Sequence, residues 1–82
     1  MTSLDLLPPQ RSAAITELRL APAEATWLRA IGLCEGVRVT LLRGAPLGGP
    51  LHVRLSTGAE LAVDRELARY VEVDAPTDEV PA

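Results

Sequence analysis

The chain has no phenylalanine and no lysine, and among its 82 residues there is one tryptophan, one tyrosine, one cysteine and one histidine. Each shortage excludes something. With aromatics at 2% and hydrophobic residues at 48%, any core must be built from Leu, Ile, Val and Ala. A chain of this length has room for one such core, because small domains bury a smaller share of their surface. The single Cys34 excludes an internal disulfide and most cysteine-based zinc sites, so a reducing, cytoplasmic compartment is the expected home. Nowhere do about 18 uncharged apolar residues run together, as a membrane span requires. Met1 to Gln10 lacks the basic and apolar regions of a secretory signal, so a soluble chain is expected. Without lysine, the positive charge rests on arginines scattered singly at positions 11, 19, 29, 38, 43, 54, 65 and 69, and the net charge is −3. That distribution does not make the dense basic patch of nonspecific nucleic-acid binding.

What is present is organised around Arg43 to Pro50, a Gly- and Pro-rich cluster between two alternating segments. Val37, Val39 and Leu41 are in phase before it, and Leu51, Val53 and Leu55 after it. Alternation on both sides of a turn cluster predicts a β-hairpin with a loop longer than two residues. One hairpin face is apolar, while Arg38, Thr40, His52, Arg54 and Ser56 fall on the other, because side chains alternate across a strand. Leu47 interrupts the polar loop and has no strand phase to bury it. Folding a glycine-flanked tip back on the core would cost the large conformational entropy of glycine. Leu47 is therefore expected to be exposed and, with Pro46 and Gly48, to meet a partner.

Residues 1–11, with Pro8-Pro9 near their middle, read as a lead-in whose Leu4, Leu6 and Leu7 can cover an open barrel edge. The ordered domain is expected over residues 12–74. Ser12 to Leu20 reads as a first strand with a bend near Thr16-Glu17, where the apolar phase shifts. Pro22 suits a first helical position and Glu24 the positive end of the helix dipole, so one short helix is predicted to Ile31, stopped by Gly32. Gly36 turns the chain into the hairpin. Glu60 to Asp64 supplies a third arm with Leu61 and Val63 inward. Arg65 to Arg69 makes a single helical turn with Leu67 inward, and Tyr70 to Val73 a closing strand that buries Val71 and Val73. Residues 75–82, acidic and proline-containing, read as a flexible tail. About five strands, with one short helix between the first and second, predict a mostly β fold, either a small barrel or a sandwich.

Catalytic chemistry is thinly supplied. A general base needs a positioned partner, and nothing in the sequence pairs His52 with a nucleophile, so a surface histidine is expected. Cys34 reads as a small hydrophobe, with no cationic neighbour in sequence to activate it. A closed zinc site wants four Cys, His or carboxylate ligands. No resident metal or cofactor is therefore expected, and any divalent ion would be held adventitiously through surface carboxylates or His52. Gly44, Gly48 and Gly49 lack the lysine and following helix of a phosphate-cradling loop. Trp27 lies four residues before Ile31 on one helical stripe, which favours covering the core; an exposed indole at a docking surface is the alternative.

The order of these pieces resembles the FeoA family, small cytoplasmic proteins of bacterial ferrous iron transport. The resemblance covers about Ser12 to Asp74. It rests on Leu28-Arg29-Ala30-Ile31-Gly32-Leu33, the Gly36 turn, Leu61-Ala62-Val63 and Val71-Glu72-Val73, and above all on Ala45 to His52, which reads Ala-Pro-Leu-Gly-x-Pro-Leu-His. Two positions depart from the family pattern: Glu35 stands where proline is common, and Trp27 where a basic residue is frequent. The resemblance implies an SH3-like barrel, no catalysis, and an accessory role beside the membrane ferrous iron permease and its cytosolic GTPase domain. The candidate partner-binding residues are Pro46, Leu47 and Gly48, with Trp27 and Leu33 as a second patch. Neither nucleic-acid binding nor direct insertion into a membrane is expected, and self-association stays open. Two other readings compete. One is the related regulatory domain of iron-dependent transcription regulators, which would accompany a helix-turn-helix and a metal-binding domain. The other is a small nucleic-acid-binding barrel, which the negative net charge disfavours.

Overall fold

The alternating segments become neighbouring strands of one antiparallel sheet in the computed structural model, which describes residues 2–78. Among these residues the strands are β1 (Thr2–Ser3), β2 (Arg11–Leu18), β3 (Arg38–Gly44), β4 (Leu51–Leu55), β5 (Glu60–Val63), β6 (Val71–Val73) and β7 (Thr77–Asp78). The helices are α1 (Pro22–Ala30) and α2 (Arg65–Ala68). The sheet order is β1-β6-β2-β3-β4-β5, with β7 added to β2.

β2 is the hub because it bends. Its first half, Ser12 to Ala14, pairs with β3, and its second half, Ile15 to Leu18, pairs with β6. The register shifts between Ile15 and Glu17, as the broken apolar phase predicted. A bulge of this kind bends a strand and increases its twist, which lets one strand serve two directions and curl the sheet around a core. That core is aliphatic: Ile15, Leu28, Val39, Leu51, Val53, Val71 and Val73 are all fully buried. Leu61 and Ile31 lie only at its margin.

Two expectations need correction. The lead-in is part of the fold: Thr2 and Ser3 pair with Val73 and Glu72, and Leu4 and Leu7 are buried, while Leu6 is exposed. A turn of 3₁₀ helix at Leu4–Leu6 aims successive side chains in different directions, so one of the three leucines points outward. The tail is ordered further than its composition suggested, since Thr77 and Asp78 pair with Ser12 and Arg11. Backbone pairing needs no apolar side chains, which is why composition missed it; residues 79–82 lie outside the described residues. In α2, Leu67 packs against the core as expected while staying partly exposed, and Ala68 is fully buried. Asp64 caps this single turn by accepting from the Glu66 N–H at 2.9 Å, and the turn packs on the Leu4–Leu6 segment, where a small side chain fits.

Candidate functional site

The β3–β4 hairpin extends past the end of its alternation. Leu41 pairs with Val53, but the next pair is Arg43 with His52, so Leu42 is bulged out of the ladder. Gln10 braces the bulge: its N–H donates to the Leu41 carbonyl at 2.7 Å and its side-chain amide to that of Leu42 at 3.1 Å. Pairing then runs on to Gly44 and Leu51. At Gly44 a Cβ would lie 2.9 Å from the end of the Arg65 side chain, which crosses the loop base. Arg65 Nε donates to the Gly49 carbonyl at 3.3 Å, and Ala45 N–H closes the loop onto the Pro50 carbonyl at 3.0 Å.

This brace holds up a short turn, Pro46–Gly48. Pro46 starts it with a fixed φ. Leu47 follows in the left-handed region, at φ 60° and ψ 36°, and Gly48 continues at φ 75°. A left-handed residue other than glycine costs about 1–2 kcal/mol. Leu47 gains no packing in exchange, for its relative exposure is 105%. The expected exposed tip is thus present, on a loop that is tied down rather than slack.

The second expected patch divides. Trp27 is 57% exposed, which corrects the core-covering role its spacing favoured. The nine-residue α1 buries only a narrow stripe through Ala25 and Leu28, three positions apart, and Trp27 falls beside that stripe. Leu33, in contrast, is fully buried and cannot belong to a docking surface. The helix ends in a Schellman arrangement, with Leu33 N–H donating to the Leu28 carbonyl at 2.9 Å and Gly32 N–H to that of Arg29 at 3.1 Å. This motif brings the residue after its glycine back over the last turn, so Leu33 joins Leu28 inside. Leucine on both sides of that motif was the signal that sequence reasoning passed over. The helix end abuts Leu55, at the opposite end of β4 from the loop, so Trp27 and Leu47 do not form one surface.

Glu35 accepts two hydrogen bonds from Arg29, from Nε at 3.1 Å and Nη2 at 2.8 Å. These bonds hold its carboxyl down to about 2 and raise the arginine further. The residue standing in place of proline therefore ties the last turn of α1 to the Gly36 turn. His52 Nε2 lies 3.2 Å from Glu60 Oε1, half-exposed on the sheet face, and the Cys34 thiol donates to the Gly32 carbonyl at 3.6 Å. Among the described residues, no three of His, Cys, Asp and Glu gather where they could hold a metal ion. No helix among them is long and apolar enough to cross a membrane. The arrangement offers an apolar contact on a rigid stalk.

A family model for the FeoA domain matches residues 2–75. The chain belongs to the FeoA family. Among solved structures it is similar to a FeoA protein from Chlorobium tepidum, with 32% identity, a TM-score of 0.80, and coverage of 88% of this chain and 68% of that one. It is also similar to the zinc-complexed FeoA of Stenotrophomonas maltophilia, described as an SH3 domain protein and advanced as a ferrous iron transport activating factor. There the identity is 27%, the TM-score 0.75 and the coverage 95% and 98%. A manganese-dependent transcriptional repressor shares the fold alone, at 16% identity and a TM-score of 0.81, over 88% of this chain and 35% of its own. Comparison with curated proteins gave no match. The curled sheet is thus the SH3-like barrel of the FeoA family, and the family match includes the N-terminal strand that the sequence reading had set aside.

Proposed function

We propose that this chain is a non-catalytic accessory factor of bacterial ferrous iron transport, working in the cytoplasm. It docks through Pro46–Gly48 on the cytosolic, GTPase-bearing part of the ferrous iron permease. The observation that carries this reading is Leu47: an apolar side chain wholly in solvent, in a left-handed conformation, on a loop that Arg65 holds in place. Family membership supports the transport role, and the activating-factor description of the Stenotrophomonas relative is of the same kind. One apolar side chain buried in a partner's pocket contributes about 1.5–3 kcal/mol, and such anchors dominate small interfaces.

The test is Leu47→Glu. The isolated variant is expected to melt like the parent, because a charge at a solvent-exposed tip costs the fold little. Binding to the permease should weaken by about tenfold or more. Ferrous iron uptake in cells lacking the native copy should fall with it. A variant that melts normally and restores full uptake removes Leu47 from the docking surface.

A further inference from the structure

From Gly36 to Ala59 the chain has no acidic residue, although it carries eleven elsewhere and a net charge of −3. This span is the β3–β4 hairpin with its turns, and its arginines are Arg38, Arg43 and Arg54. Two of the three are engaged within the fold. Arg38 donates to Thr77 and Ser12, and Arg54 stands opposite Glu60 on β5. Arg43 differs: it is exposed, and among the described residues it has neither a hydrogen bond nor an ion pair. Its cross-strand neighbour His52 turns to Glu60, 3.2 Å away.

Arg43 stands at the base of the loop that presents Leu47. It shares the outer face of the hairpin with His52, and Gly44 after it faces the other way, because side chains alternate along a strand. On that inner side the base is crossed by Arg65, whose end lies 2.9 Å from where a Gly44 Cβ would be. Arg65 is half-buried and donates to the Gly49 carbonyl, a neutral acceptor that leaves its charge uncompensated. The two acidic residues beside it in sequence are committed elsewhere: Asp64 accepts from the Glu66 N–H, and Glu66 pairs with Arg69 at 3.8 Å. The exposed leucine thus rises from a stem with a guanidinium on each face and, among the described residues, no carboxylate paired with either. Like charges at one end of a strand pair repel, and an acidic group brought from outside turns that repulsion into attraction.

We propose, resting on the docking reading above, that the surface receiving this loop is an apolar pocket rimmed by acidic side chains, one of whose carboxylates meets Arg43 as Leu47 enters the pocket. A protein surface is favoured over anionic lipid on two grounds. The chain as a whole is negative, which a charged bilayer repels. One leucine beside one unpaired arginine is also a small anchor for a membrane, where stable attachment takes stronger signals. Rim charges of this kind act chiefly on the rate of association and the choice of partner, since they attract before contact and stay solvated after it.

The test is association of the full chain with the full-length permease in neutral detergent, followed in time from about 50 to about 500 mM sodium chloride, a range over which screening becomes nearly complete. The parent is expected to associate more slowly as salt rises. Arg43→Gln should associate about threefold more slowly than the parent at the lowest salt and converge with it at the highest. Its melting should be unchanged, because the side chain makes no polar contact within the fold. Arg43→Lys, which keeps the charge, should keep the rate. Arg29→Gln removes the same charge at the far end of the barrel and should also associate like the parent. An Arg43→Gln variant with the parent's rate and salt dependence, while Leu47→Glu still abolishes binding, overturns this proposal and leaves the docking reading standing. Faster association of Arg43→Gln overturns it too, as does flotation of the parent with phosphatidylglycerol vesicles that Arg43→Gln loses. A parent that binds the permease at no salt concentration takes down both readings together.

Discussion

Two turns of this chain set a leucine beside a glycine and use the pair in opposite ways. At the end of α1, Gly32 takes φ of +101° and the adjoining Leu33 is fully buried. At the hairpin tip, Leu47 itself takes φ of +60° and stands in solvent, with Gly48 after it. In the first turn the left-handed position is held by the residue that adopts it without steric cost, and burial of the leucine contributes about 1.5–3 kcal/mol. In the second, the leucine carries the strain and gains no burial from its own chain. Stability accounts for the helix end and does not account for the hairpin tip, which is why the tip reads as a surface shaped for contact.

The contrast breaks most readily at Leu33. Leu33→Ala should cost about 2–5 kcal/mol, which at roughly 4–8 °C per kcal/mol lowers the melting temperature by about 10 °C or more. Leu47→Ala should stay within about 0.5 kcal/mol of the parent. Equal melting of the two variants would end the distinction. Gly32→Ala comes next, at about 1–2 kcal/mol for the left-handed backbone, raised further because its Cβ would sit 3.1 Å from Leu55 Cδ1. Leu47→Gly is smaller and opposite in sign: relief of about 1–2 kcal/mol of strain is offset by about 0.5–1 kcal/mol of unfolded-state entropy, leaving a gain of about 0.5 kcal/mol in chemical denaturation. A loss of stability there would show that the tip conformation is supported from within. The smallest effect belongs to the ion pair beside the helix end. Glu35 titrates near 2 in the fold against an ordinary 4.5, so its contribution is present above pH 4.5 and disappears as the pH falls from 4.5 towards 2. Glu35→Gln should flatten that part of the melting profile slightly, since the pair is solvent-exposed.

Most of the strand phase was legible because a half-buried sheet writes itself as alternation: Val39 and Leu41, then Leu51, Val53 and Leu55, and Val71 and Val73 all face inward as their spacing required. The bulge in β2 was legible for the same reason, as a break in that alternation near Thr16. Terminal strands were not. Thr2–Ser3 and Thr77–Asp78 are held by backbone hydrogen bonds and carry no apolar pattern. At the docking surface, exposure of Leu47 followed from its Gly and Pro neighbours. Its left-handed backbone and the Arg65 brace did not, because the brace joins residues sixteen positions apart in sequence. Leu33 was misplaced by treating the turn as a surface, when a glycine followed by leucine at a helix end commonly folds the leucine inward.

The lack of aromatics in the interior also makes that interior optically silent. Trp27 and Tyr70, the chain's one indole and one phenol, both stand at the surface. Indole emission from the folded protein is already that of a largely hydrated ring, so unfolding by heat or denaturant will hardly move it. Melting must instead be followed through the backbone, by far-ultraviolet dichroism or amide signals. The same silence turns Trp27 into a site-specific lamp: a blue shift when a partner is added reports cover over α1, while bound partner with unchanged colour confines the contact to the hairpin end.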